Sequence, residues 1–205
     1  MKNYIAHRGL KEKNSKENTI QAFQNAINNP HYIGFELDIR TSKDDVFTII
    51  HNAFVGTHQI KHTYYRTLNK KYHLPRLEEV LKLDTNKIIL IEIKEANINV
   101  KKFVRLISKY REKNIYVMSF HKSIIHKLKE EKIPCKLGVL NYVLNSETSY
   151  QDYDFICILE SIMTPNLETY FYKKNIQVFL YGIHHLKQSE EKYKTCYFIT
   201  DKIVL

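Results

Sequence analysis

The sequence predicts an α/β protein folded as a single (β/α)8 barrel of the TIM type. Two observations carry this. Short apolar or β-branched runs alternate with longer amphipathic ones about eight times, and a count near eight favours closure of a parallel sheet. Several of the short runs are apolar almost throughout, as strands buried on both faces require. The 205 residues suffice for one domain with a sizeable core. No linker, repeat or low-complexity run interrupts them, so one domain over 1–205 is expected. That length is near the lower limit for such barrels, which implies clipped loops or missing helices.

The strand candidates are Tyr4–His7, Phe35–Ile39, Ile88–Ile93, Ile115–Ser119, Lys136–Leu140, Phe155–Leu159, Gln177–Tyr181 and Tyr197–Thr200. Between them, Asn18 can cap a helix that carries Ile20, Phe23 and Ile27 on one face. Val100, Phe103, Val104 and Ile107 keep helical spacing; Ile124, Ile125 and Leu128 repeat it. Pro165 opens a helix using Leu167, Tyr170 and Phe171. One segment breaks the alternation. Phe35–Thr41, the polar run Ser42 to Asp45, and Val46–His51 read as a hairpin that returns His51 to the end of the second strand.

The formal net charge of +10 suits an anionic partner. Its lysines are dispersed, however, as on solvated helix faces in a chain rich in Lys, Asn, Ile and Tyr. With no arginine-rich helix or RNA-binding signature, no nucleic-acid partner is expected. No run approaches the roughly 18 apolar residues of a membrane span, and no signal-peptide stretch precedes His7, so a cytoplasmic location is expected. Cys135, Cys157 and Cys196 lie far apart in apolar runs, as buried thiols of a reducing compartment do.

Chemistry concentrates at strand ends. Side chains alternate across a strand, so Glu36 and Asp38 share one face while Leu37 and Ile39 share the other. Glu92 and Lys94 repeat the arrangement, and a third strand ends in His7. Three carboxylates converging on a barrel mouth repel one another and lose hydration. A hard divalent cation relieves both penalties, and all-oxygen ligands point to Mg²⁺ or Ca²⁺, with Mn²⁺ also suited, rather than zinc.

The ordered blocks make a more specific pattern. His7-Arg8-Gly9, then Glu17-Asn18-Thr19 with Ala22, Phe23 and Ala26, then Glu36-x-Asp38, Thr41 and the hairpin to His51 resemble the glycerophosphodiester phosphodiesterase family. Leu74 to Glu79, Glu92-Ile93-Lys94, Ser119-Phe120 and Thr200-Asp201 resemble its later blocks. The resemblance runs from residue 4 to about 201 and implies a (β/α)8 barrel that hydrolyses glycerophosphodiesters to glycerol 3-phosphate and an alcohol. Carried over residue by residue, it implies Glu36, Asp38 and Glu92 as ligands of one divalent cation. His7 and His51 become the general acid and base, and Arg8 with Lys94 the phosphate binders. Two imidazoles suit a reaction that deprotonates a nucleophile and protonates a leaving oxygen. Glu17 either orients Arg8 or favours a helix dipole from its first turn.

The chain departs from the family pattern in places. Asn52 follows the second histidine where Asp is usual, Asp45 replaces a turn Gly, and Tyr181 stands near a usual Trp. A usual proline after Asp201 is absent. The stretch between His51 and Leu74 is short, a reduced insertion that implies an open site and a substrate larger than free glycerophosphocholine, lipid- or polymer-linked. Alternative readings are a sphingomyelinase D- or lysophospholipase D-like phosphodiesterase, disfavoured by Glu92 where those relatives use Asp, and a catalytically weak barrel that binds phosphorylated ligands. The remaining histidines, His58, His62, His184 and His185 among them, are expected on surface or loops.

Overall fold

In the computed structural model, residues 3–13, 15–144 and 149–201 are described; the ends of the expected 1–205 domain lie outside them. Strand β1 (Tyr4–Ala6) turns through His7 to Gly9 into α1 (Ile20–Asn28), β2 (Tyr32–Thr41) and β3 (Phe47–Ile49). A ribbon of β4 (Phe54–Val55) and β5 (His58–Gln59) precedes α2 (Tyr65–Tyr72), α3 (Leu77–Leu81) and β6 (Ile88–Ile93). Then follow α4 (Val100–Ser108), β7 (Ile115–Ser119), α5 (Lys122–Glu130), β8 (Lys136–Asn141), β9 (Phe155–Leu159), α6 (Pro165–Lys173), β10 (Gln177–Tyr181), α7 (Leu186–Lys192) and β11 (Tyr197–Thr200).

The barrel expected from the alternation is present. β2, β6, β7, β8, β9, β10 and β11 pair in sequence order, and β1 closes the ring by pairing in parallel with both β2 and β11. β3 runs antiparallel to β2, the expected hairpin. Among the described residues, only a 3-10 turn (Tyr150–Asp152) stands between β8 and β9, the kind of economy a short barrel demands. No helix of the described residues is long and apolar enough to cross a membrane.

Alternation along each strand divides the apolar residues into two cores. Leu37, Ile39, Ile91 and Val117 face the helices with Phe23, Phe103 and Leu128. Ile5, Leu90, Tyr116, Phe155 and Phe179 fill the barrel's inside. Gly34 marks a tight approach there, since a Cβ on it would lie 2.5 Å from the Ile88 carbonyl oxygen.

Three details differ from expectation. Thr19, not Asn18, caps α1 by accepting from Ala22 N–H; Asn18 is held in the left-handed region at φ 56° for another task. Tyr170 of α6 is exposed, and Phe171 is the residue that packs. Cys157 and Cys196 are buried free thiols, but Cys135 is only partly buried. The His51–Leu74 stretch, for which the sequence named no element, holds the β4–β5 ribbon and α2. The leucine at position 68 anchors that helix, fully buried in an otherwise polar run.

Candidate active site

All candidate groups gather at the C-terminal end of the barrel strands, where such folds place their chemistry. After β1, Arg8 and Gly9 take positive φ values of 53° and 80°. A Cβ on Gly9 would come within 2.8 Å of Ala22, so only glycine makes this turn against α1. The turn aims Arg8 N–H at Glu36 Oε2, 2.9 Å away. The β2 hairpin then supplies His51: Ile50 N–H donates to Asp38 O at 3.0 Å, so the returning chain lies against the strand that bears the acids. Asp45 sits in the hairpin turn at φ 58°, which explains the usual glycine there; aspartate tolerates this conformation better than most residues.

Register sets Asp38 beside Glu92 across the β2–β6 pair. Glu36, Asp38 and Glu92 are 2%, 1% and 6% exposed, and one oxygen from each lies within 4.8 Å of the others. Lys94 Nζ reaches Asp38 Oδ1 at 2.9 Å and Glu92 Oε1 at 2.6 Å. Arg8 Nη1 donates to Glu17 Oε1 at 2.8 Å, while its Nε forms an ion pair with Asp38 Oδ2 at 3.2 Å without hydrogen-bond alignment. A cavity of about 440 Å³ opens above, bordered by His7, Arg8, Glu36, His51, Glu92 and Lys94. The structure thus brings together all seven residues singled out from sequence. Arg8 and Lys94 both touch carboxylates as well as border the cavity.

The model of the glycerophosphoryl diester phosphodiesterase family matches residues 7–188. The chain belongs to this family. It is therefore a phosphodiesterase, and the family's activity on glycerophosphodiesters is the one this barrel carries. No curated protein matches it. Solved structures share the fold at low identity. A glycerophosphodiester phosphodiesterase from Thermotoga maritima has a TM-score of 0.81 at 24% identity, over 98% of this chain and 95% of that one. One from Agrobacterium tumefaciens has a TM-score of 0.78 at 18% identity, over 98% and 96%. A phosphodiesterase from Oleispira antarctica, solved with its product sn-glycerol-3-phosphate, has a TM-score of 0.79 at 16% identity, over 96% and 92%.

The electrostatics of the acids suit the divalent metal of a glycerophosphoryl diester phosphodiesterase. Burial, then Asp38 and Glu92, push the Glu36 carboxyl well above the usual range. Burial also raises Glu92, with Lys94 opposing it. Asp38 goes the other way: despite burial, Lys94, the Asn18 hydrogen bond and Arg8 hold it low. Three oxygen donors in a shared buried space, two of them reluctant to ionise, form a donor set that a hard divalent cation fits.

Several contributors escaped the sequence reading. Asn18 Nδ2 donates to Asp38 Oδ2 at 2.8 Å, and Asp38 N–H donates back to Asn18 Oδ1 at 3.3 Å. Asp201 Oδ2 lies 3.0 Å from His7 Nδ1, and this contact holds the Asp201 carboxyl well below its usual range. At Asn52, already singled out in the sequence, Oδ1 lies 2.9 Å from His51 Nδ1 and is an uncharged partner. Arg40 Nε donates to His51 O at 2.8 Å, and its Nη1 pairs with Glu95 at 3.1 Å. His184 is exposed on a loop, as expected, and also borders the cavity. Of the two roles open to Glu17, orienting Arg8 is the one the contacts match, because Glu17 precedes the cap of α1.

Proposed function

We propose that this enzyme hydrolyses a glycerophosphodiester to glycerol 3-phosphate and an alcohol in a divalent-cation-dependent reaction. Glu36, Asp38 and Glu92 would hold one cation, Mg²⁺ or Ca²⁺, with Mn²⁺ also suited. The observation that carries this reading is the buried carboxylate triad, two of whose members, Glu36 and Glu92, line a cavity that two imidazoles border. When bound, the cation would draw charge from the phosphate's non-bridging oxygens.

The chain's own groups supply the rest. With Nδ1 of His7 turned to Asp201 and Nδ1 of His51 to Asn52, the Nε2 atom of each ring is left for proton transfer. One imidazole takes a proton from the attacking oxygen as it bonds to phosphorus, either that of water or that of the substrate's own glycerol hydroxyl, whose cyclic phosphate water then opens to glycerol 3-phosphate. The other delivers a proton to the alcohol oxygen as its bond to phosphorus breaks. Arg8, held by Glu17 and Asp38, presents its remaining N–H groups to the phosphate, and Lys94 adds a positive charge beside it. The short cover between His51 and Leu74 supports a substrate larger than the simplest diesters. One domain over 1–205 and a cytoplasmic location belong to the same proposal.

The test is release of glycerol 3-phosphate from a panel of glycerophosphodiesters with Mg²⁺, Ca²⁺, Mn²⁺ or a chelator. Turnover should need a cation and fall about 10²- to 10⁴-fold in His7→Ala and in His51→Ala. Unchanged turnover in both variants refutes the assignment. A cyclic or lyso-phosphatidate product would instead point to phospholipase D-type chemistry.

A further inference from the structure

The cavity has two unlike walls. One is polar, formed by the acids, cations and imidazoles already described. The other is built from the ends of β7, β8 and β10 by Phe120, Tyr142 and Tyr181, over Met118, Leu140 and Ile199. None of these six side chains is charged. Phe120 and Tyr142 stack with centroids 4.4 Å apart and planes 20° apart. Tyr142 meets Tyr181 edge-on at 6.5 Å. Tyr181 O–H is already committed, donating to Asn141 O at 3.1 Å. At the rim, Tyr142 and Val143 are 61% and 68% exposed, so the apolar surface continues from the cavity to solvent.

We propose that this wall is the subsite for a saturated hydrocarbon chain on the substrate's alcohol. The inference rests on the phosphodiesterase reading above and narrows it: alkyl glycerophosphodiesters are preferred to those of small polar alcohols. Three features favour it over the other occupants. The hydroxyls of a glycerol unit need several hydrogen-bond partners, which the polar wall holds in number while this one offers only tyrosine hydroxyls, that of Tyr181 already donating to Asn141 O. A quaternary ammonium gains most where aromatic faces surround it on several sides. Here Phe120 and Tyr142 spend one face of each ring on the other, leaving a flat shelf with an aliphatic floor. Exposed Tyr142 and Val143 gain only when apolar matter covers them.

The experiment measures kcat/KM for ethyl, butyl and hexyl diesters of glycerol 3-phosphate, with the ethanolamine and choline diesters as polar and cationic references. Each methylene that reaches the wall should raise kcat/KM by about three- to fourfold. Tyr142→Ala should flatten that series, and Tyr142→Phe, which keeps the stack, should preserve it. A flat series alongside hydrolysis of the ethanolamine diester, or preference for the choline diester over hexyl, overturns the inference and leaves the parent reading standing. Failure to cleave any diester with any cation overturns both.

Discussion

His7 and Asp201 stand 194 residues apart in sequence and meet at 3.0 Å, joining the ends of the first and last strands of the barrel. The contact closes the ring chemically where β1 and β11 close it structurally. It commits the His7 Nδ1 atom to Asp201, which also borders the cavity. Replacing Asp201 with Asn keeps the size and removes the charge, and kcat/KM should fall about 10- to 100-fold. Equal activity in Asp201→Asn would show that the carboxylate does not position His7.

Asn18 does for Asp38 what Asp201 does for His7. Its amide holds both the Asp38 side chain and its backbone N–H. Asn18→Ala should weaken cation affinity about 10- to 100-fold. Titration calorimetry with Mg²⁺ or Ca²⁺ reads this directly, and an unchanged dissociation constant would count against it.

Glu36 makes stability depend on pH. Its folded-state carboxyl is raised well above the ordinary value, by burial and then by Asp38 and Glu92. Well below pH 4, both folded and unfolded chains hold its proton and no penalty arises. As pH rises, the unfolded carboxyl ionises first, so the folded state loses stability through the interval up to its own higher value. The melting temperature of metal-free protein should therefore fall over that interval, with added cation opposing the fall. Glu36→Gln should raise the metal-free melting temperature at neutral pH while abolishing cation-dependent turnover. A lower melting temperature in that variant would contradict the account.

The Arg40–Glu95 pair clamps the hairpin that carries His51. Arg40 holds the His51 carbonyl, and Glu95 also accepts from Thr41 N–H at 3.2 Å. Arg40→Ala should cost about 1–3 kcal/mol of stability, read by denaturant unfolding. It should also lower kcat, because the hairpin that bears His51 is loosened.

Much of this molecule could be read from its residues, for identifiable reasons. Strands buried on both faces are continuous apolar runs, so Ile88–Ile93 and Phe155–Leu159 were legible. The period of two placed Glu36 and Asp38 on one face. Local pattern does not carry tertiary partners. Asn18 resembles an ordinary cap because its preference for caps and for positive φ comes from the same short amide. Only the fold shows that the amide is spent on Asp38 and that Thr19 does the capping. The pairing of Asp201 with His7 depends on ring closure, which no local window contains. Helix α2 was hidden because its run from Tyr65 to Tyr72 is polar except for one buried leucine.

Glu36, Asp38 and Glu92 are proposed to share one cation beneath the two histidines. Crystals grown with Mn²⁺ and measured at its absorption edge test this most directly. One anomalous peak is expected at about 2.0–2.6 Å from an oxygen of each acid. A peak elsewhere, or none at a Mn²⁺ concentration that supports turnover, would contradict it.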